Sequence, residues 1–188
     1  LIFGQGTDNN VGGIFYSNTN DSIYMGTNNA GTSFNIGSGG DITMPQQPIF
    51  YQQVGTGMTN IGHGAWHTVT FGTDAVDQGS HFASNTFTAP VDGNYYFHLE
   101  IQFGGLAQNA TYYHTGVVTN GPQGAFYTTS SGSAFGASNP TYSRVVNTVI
   151  CHLDAGDTAY AAVYQSTGGT NNTTDVDGGS RFYGFLDG

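Results

Sequence analysis

Lysine does not occur in this chain, and its only basic side chains are Arg144 and Arg181. With 12 acidic residues against those two, the formal net charge is −10. Phosphate backbones are held by several cationic side chains at once, so nucleic acid is excluded as a partner. An anionic membrane surface is excluded on the same ground. Charged residues of both signs together make up 7% of the chain, too few for a disordered acidic tail. Cys151 is the single cysteine, so no disulfide can form within the chain. Flanked by Val149, Ile150 and Leu153, it reads as a small buried residue rather than a reactive thiol. No run of ~18 apolar residues is present, so no membrane insertion by a helix is expected. Amphipathic stretches of Leu, Lys and Glu are missing as well. The chain opens on Leu1 rather than Met and reads as a processed or partial one.

What is abundant is glycine, at 30 residues, and aromatic side chains, at 14%. Phe and Tyr bury much area per residue and must supply most of the core. Asn94–Phe103 alternates without a break. Tyr95, Phe97, Leu99, Ile101 and Phe103 share one face; Asn94, Tyr96, His98, Glu100 and Gln102 share the other. Ten residues of period two predict a strand. Further strands are predicted at Ile49–Tyr51, His67–Phe71, Tyr112–Thr119, Val145–Leu153, Thr158–Gln165 and Arg181–Leu186. Turn residues separate them, as in Pro90-Val-Asp-Gly93, Asn120-Gly-Pro122 and Asp154-Ala-Gly156. Many strands without intervening helices predict an all-β antiparallel sandwich or barrel.

Residues 1–43 differ from the remainder. Ile14-Phe15-Tyr16, Ile23-Tyr24-Met25 and Phe34-Asn35-Ile36 are short apolar clusters in a background of Gly, Asn, Thr and Ser. They predict three short strands, too thin a series to be stable alone. Their packing partner must be the main domain or copies from other chains. Gly37-Ser38-Gly39-Gly40 reads as a hinge, and the main domain is expected to run over 44–188.

From Phe71 to Leu99 the chain resembles the C1q domain signature, on Phe71, Asp77, Phe82, Phe87, Gly93, Tyr95, Phe97 and Leu99. The run Phe87-Thr-Ala-Pro-Val-Asp-Gly93-Asn-Tyr95-Tyr-Phe97 carries most of it. Met44–Phe50, Leu153–Asp157 and Arg181–Leu186 resemble that family's first strand, Gly-Asp turn and closing strand, in the right order. Two departures mark a distant branch: the Phe82–Phe87 spacing is short, and Leu99 stands where an aromatic is usual. The resemblance to C1q and tumour necrosis factor domains implies a jelly roll of about ten strands, assembled as a homotrimer, that binds rather than catalyses. It implies a trimer interface at Tyr96, His98 and Glu100, for which Tyr160 and Tyr164 are further candidates. Three Glu100 carboxylates near a threefold axis would repel unless something such as His98 offsets them. No Gly-X-Y period precedes the domain, so a collagen stalk is not expected. A polar, lysine-free β segment ahead of such a head resembles a bacteriophage fibre or virion appendage, at the virion surface or otherwise extracellular. The partners expected are host-surface glycan or protein, or other virion proteins. A purely structural decoration subunit and a secreted cellular recognition protein are the competing readings.

Signatures of catalysis are absent: there is no Gly-x-Ser-x-Gly elbow and no phosphate-binding Gly-Lys-Ser/Thr loop. The six histidines show no local zinc spacing, and no cofactor is expected. Asp175 and Asp177, in a Gly-rich loop, could contribute oxygen ligands to calcium. Trp66, Tyr112, Tyr113, Phe126, Tyr127 and Phe135 lie near Gly-rich turns and are candidates to stack on a ligand. The last three fall in Gly121–Pro140, which reads as a long surface loop.

Overall fold

The computed structural model describes residues 2–5, 8–27, 32–106, 110–131, 141–167 and 173–187, and no helix occurs among them. The chain divides into two compact units, Leu1–Gln47 and Pro48–Gly188.

The first unit is one antiparallel sheet whose spatial order follows the sequence: β1 (Ile2–Gln5), β2 (Asp8–Ser17), β3 (Ser22–Thr27), β4 (Thr32–Ile36) and β5 (Ile42–Thr43). The three apolar clusters lie in β2, β3 and β4. Strands β1 and β5 flank them and were not foreseen, because two to four residues are too few to display alternation. Register fixes which side chains share a face. Ile14 pairs with Met25, Tyr16 with Ile23, and these with Phe34 and Ile36. Ile36 in turn pairs with Ile42. On the other face Phe15 stacks on Tyr24 at 5.1 Å, beside Ser17, Ser22, Asn35 and Thr43.

The second unit is a sandwich of two six-stranded sheets. Its strands are β6 (Ile49–Gln53), β7 (Trp66–Thr68), β8 (Thr73–Gln78), β9 (Phe82–Ala83), β10 (Thr86–Thr88), β11 (Gly93–Gly104), β12 (Ala110–Thr119), β13 (Ala125–Ser131), β14 (Tyr142–Leu153), β15 (Thr158–Thr167), β16 (Asp175–Val176) and β17 (Arg181–Leu186). One sheet has the order β14-β11-β17-β6-β8, with β16 added on β11; the other runs β13-β12-β15-β10-β9, with β7 added on β15. All pairings are antiparallel.

Alternation along β11 sends Tyr95, Phe97, Leu99, Ile101 and Phe103 inward, each with no solvent exposure. The centre of the core is an aromatic cluster. Phe50 lies 5.0 Å from Phe82, 4.9 Å from Phe87 and 5.0 Å from Phe182, ring centre to ring centre. Gly184 in the closing strand is what lets these rings meet: a Cβ there would lie 2.6 Å from the Phe97 ring and 2.9 Å from that of Phe50. Cys151 faces the same core, and burial pushes its thiol up to about 11.

Two expectations are corrected. The segment expected to be a long loop from Gly121 holds β13, paired along its length with β12. Asn120–Gly124 is only a tight turn, in which the Thr119 hydroxyl donates to the Gly124 carbonyl at 2.6 Å. The run Ala-Phe-Tyr-Thr-Thr-Ser-Ser hides its strand character because its inward positions are mostly small and polar. Strand β7 ends at Thr68 instead of Phe71, since the Phe71 N–H donates to the Asn85 carboxamide at 2.8 Å and leaves the ladder.

Candidate functional site

Each sheet of the sandwich turns one face outward, and the two faces differ. On the first sheet, the outward side of β11 carries Tyr96, His98, Glu100 and Gln102. Register sets Ile150, Thr148, Val146 and Arg144 of β14 beside them, and Phe185, Tyr183 and Arg181 of β17 on the other flank. Tyr96 stacks on Phe185 at 4.9 Å, His98 on Tyr183 at 4.7 Å and Tyr183 on Tyr51 at 5.8 Å. Ile150 is 57% exposed and Val146 46%. Tyr96, Tyr183, Phe185, Val146 and Ile150 give this face an exposed apolar and aromatic part.

Within it lies the chain's whole complement of basic side chains. Glu100 is the only glutamate in the sequence. Arg144 donates to Glu100 Oε1 through Nη1 and to Gln102 Oε1 through Nη2 at 2.9 Å. Arg181 approaches Glu100 Oε2 from the other flank, with Nε at 3.6 Å. The carboxylate expected to depend on His98 is thus held by two guanidinium groups of its own chain. His98 is engaged elsewhere, with Nδ1 at 3.0 Å from the Thr148 hydroxyl. Burial lowers the imidazole's pKa, Glu100 opposes the shift and Arg181 adds to it.

The second sheet exposes an aromatic platform. Trp66 on β7 pairs with Tyr164 on β15, which pairs with His114 on β12. The Trp66 ring lies 4.6 Å from Tyr127, 5.3 Å from Tyr164 and 5.7 Å from His114; Tyr112 lies 4.5 Å from His114. Trp66 is 43% exposed and Tyr127 51%. Gly116 makes the seat for Tyr127, because a Cβ at that position would sit 2.6 Å from its ring. The His114 Nδ1 is 2.7 Å from the Thr129 hydroxyl, and burial lowers the imidazole's pKa.

The candidate ligand aromatics therefore separate. Trp66, Tyr112 and Tyr127 come together on this face, on strands rather than loops. Tyr113 is fully buried, 5.3 Å from Phe103, and Phe126 packs against the core. Neighbours in a strand point to opposite sides, so Tyr112 and Tyr113 cannot serve one surface, nor can Phe126 and Tyr127. Phe135 lies outside the described residues. Tyr164 joins the platform, and Tyr160 lies on the same strand. The five candidates for one trimer interface are thus split between the two sheets. Sequence reasoning missed His114, although it continues the alternation from Tyr112. It also missed both arginines, which lie 44 and 81 positions from their carboxylate along the chain and meet it only through register. A count of charges was the available signal: one Glu, two Arg, no Lys.

Asp175 Oδ1 accepts the Asn60 N–H at 2.7 Å. Burial, and to a lesser degree Asp175, raise the Asp177 carboxyl. Among the described residues no group of three or more His, Cys, Asp or Glu is placed to hold a metal ion. No helix among them is long and apolar enough to cross a membrane.

The C1q domain family model matches residues 50–186. The chain belongs to the C1q domain family. This C1q domain is similar in fold to the globular domain of zebrafish complement 1qA protein, at 17% identity and a TM-score of 0.57, over 76% of this chain and 98% of that one. Murine APRIL is similar at 12% identity and a TM-score of 0.52, over 74% and 98%. No curated protein matches the chain. C1q-like domains are generally non-enzymatic recognition modules, extracellular or secreted, and typically form homotrimers.

Proposed function

We propose that this C1q domain is the trimeric recognition head of a virion fibre or similar surface appendage, and that its ligand is a neutral carbohydrate. The observation that carries the reading is the aromatic platform of Trp66, His114, Tyr127 and Tyr164. Flat aromatic faces fixed on a rigid sheet stack on the apolar face of a pyranose, and His114 with Thr129 offers polar atoms beside them. A neutral sugar is favoured over an acidic one because both arginines are committed to Glu100 on the other sheet, in a chain of net charge −10. The apolar face around Tyr96, Tyr183 and Phe185 supports self-association through the first sheet. A β unit without collagen repeats, placed ahead of the head, supports a fibre or appendage setting.

Trp66 is the only tryptophan, so its emission reports on the platform without a label. Titration with neutral oligosaccharides is expected to shift that emission, and Tyr127→Ala to abolish the shift. Emission unmoved by a broad sugar panel overturns the ligand assignment. If such a chain still holds a fixed place in a particle, it is a structural decoration subunit. Light scattering that finds a monomer across micromolar concentrations overturns the trimer.

A further inference from the structure

In the first unit's sheet Ile14, Tyr16, Ile23, Met25, Phe34, Ile36 and Ile42 share one face. The opposite face carries the Phe15–Tyr24 stack among polar side chains, and Ser17, Ser22, Tyr24, Thr32, Asn35 and Thr43 line a shallow groove there. On this face Tyr16 is 60% exposed, Ile42 59% and Ile23 41%. None of the described residues of this unit belongs to the buried hydrophobic core. A sheet with one apolar face needs a second layer against that face, and the described residues of this unit form only the one sheet.

We propose that the missing layer is the same face of two further copies of this chain, so that three sheets enclose a common apolar interior. This rests on the trimeric reading of the head. Two arguments select copies of the chain over other occupants. The seven side chains from Ile14 to Ile42 are uncharged, with Asp21 at their margin accepting the Tyr16 hydroxyl, so this part of the face meets its copy without like-charge contacts among those seven. Only Met44–Pro48 separates β5 from the first strand of the head. Assembly of three heads therefore brings three such sheets together at high effective concentration, ahead of any partner arriving from solution. With the interior enclosed, Ser17, Asn35 and Thr43 form the outer wall together with the Phe15–Tyr24 stack.

The test uses the full chain with one added thiol. Cys151 is buried and its thiol is pushed up to about 11, so it stays silent toward a maleimide near neutral pH. Ile23→Cys, on the apolar face, is expected to link into covalent dimers and trimers with a short bismaleimide. Tyr24→Cys, on the polar face, is expected to remain a single chain on a denaturing gel. Ile23→Asp is expected to leave the particle trimeric by light scattering while amide protection over residues 12–27 is lost. A trimer in which Ile23→Cys does not link, or links no better than Tyr24→Cys, overturns this inference and leaves the head's trimer intact. So does a trimer whose amide protection is unaffected by Ile23→Asp, or in which the face is covered by the head or by added lipid vesicles. A monomer by light scattering overturns both.

Discussion

The two units of this chain apply one rule, alternation, to opposite ends. In the sandwich, β11 turns five large apolar side chains toward a second sheet of the same chain, and all five are fully buried. In the N-terminal unit, β2, β3 and β4 also gather apolar side chains on one face, but Tyr16 and Ile23 there are exposed. The strands are equally regular in both. The difference is layers: two sheets make a core, one sheet makes an interface. The sandwich encloses a buried core, whereas none of the described residues of the extension belongs to one.

The sharpest break of this comparison is Phe97→Ala. The ring sits in the aromatic cluster with no exposure, and emptying such a site costs about 3–5 kcal/mol. Thermal unfolding is expected to fall steeply. Tyr127→Ala, half exposed on the other face, is expected to change stability by about 0.5 kcal/mol or less, and equal losses for the two variants refute the assigned facing. A smaller loss is expected for Glu100→Gln. It leaves Arg144 and Arg181 crowded around a neutral amide, and with both arginines partly solvent-exposed the cost is about 1–2 kcal/mol. Added salt should narrow the gap to the parent protein; a gap that widens with salt argues against the ion pairs.

Ile23→Asp sharpens the contrast from the other side. It is expected to leave the main thermal transition of the sandwich in place while loosening the extension, as amide exchange would register. Loss of the main transition would show that the units are not energetically separable. The smallest effect is in pH. His98 and His114 both have imidazoles lowered from 6.5, chiefly by burial. The folded state then binds fewer protons than the unfolded chain just below 6.5, so their contribution is complete above that pH and is lost as pH falls through the lowered values. The melting temperature is expected to decline on acidification below 6.5, and His98→Asn with His114→Asn to flatten that part of the curve. An unchanged curve in the double variant removes both from the account.

Legibility followed the size of the inward side chains. Strand β11 could be read because every second residue is large and apolar for ten positions, and β17 because Phe182 and Gly184 sit in a short apolar run. Strand β13 could not, since small and polar residues occupy most of its inward positions and no sequence contrast marks it. The platform was half legible. Trp66, Tyr112 and Tyr127 attract notice as aromatics, yet their grouping depends on β12 lying between β13 and β15, which no local pattern encodes. The Glu100 cluster is wholly a product of register. Arg144 and Arg181 reach the carboxylate because β14 and β17 flank β11 at that level, and sequence distance conceals it.

That cluster also bears on how the chain meets a protease. Trypsin-like proteases cut after Lys or Arg, and this chain offers only two such bonds. Both lie inside strands hydrogen-bonded to β11, with their side chains paired to one carboxylate. A protease must bind several residues in extended form, so cleavage there requires β14 or β17 to peel away from the sheet first. Digestion by trypsin is therefore governed by the opening of the sandwich itself.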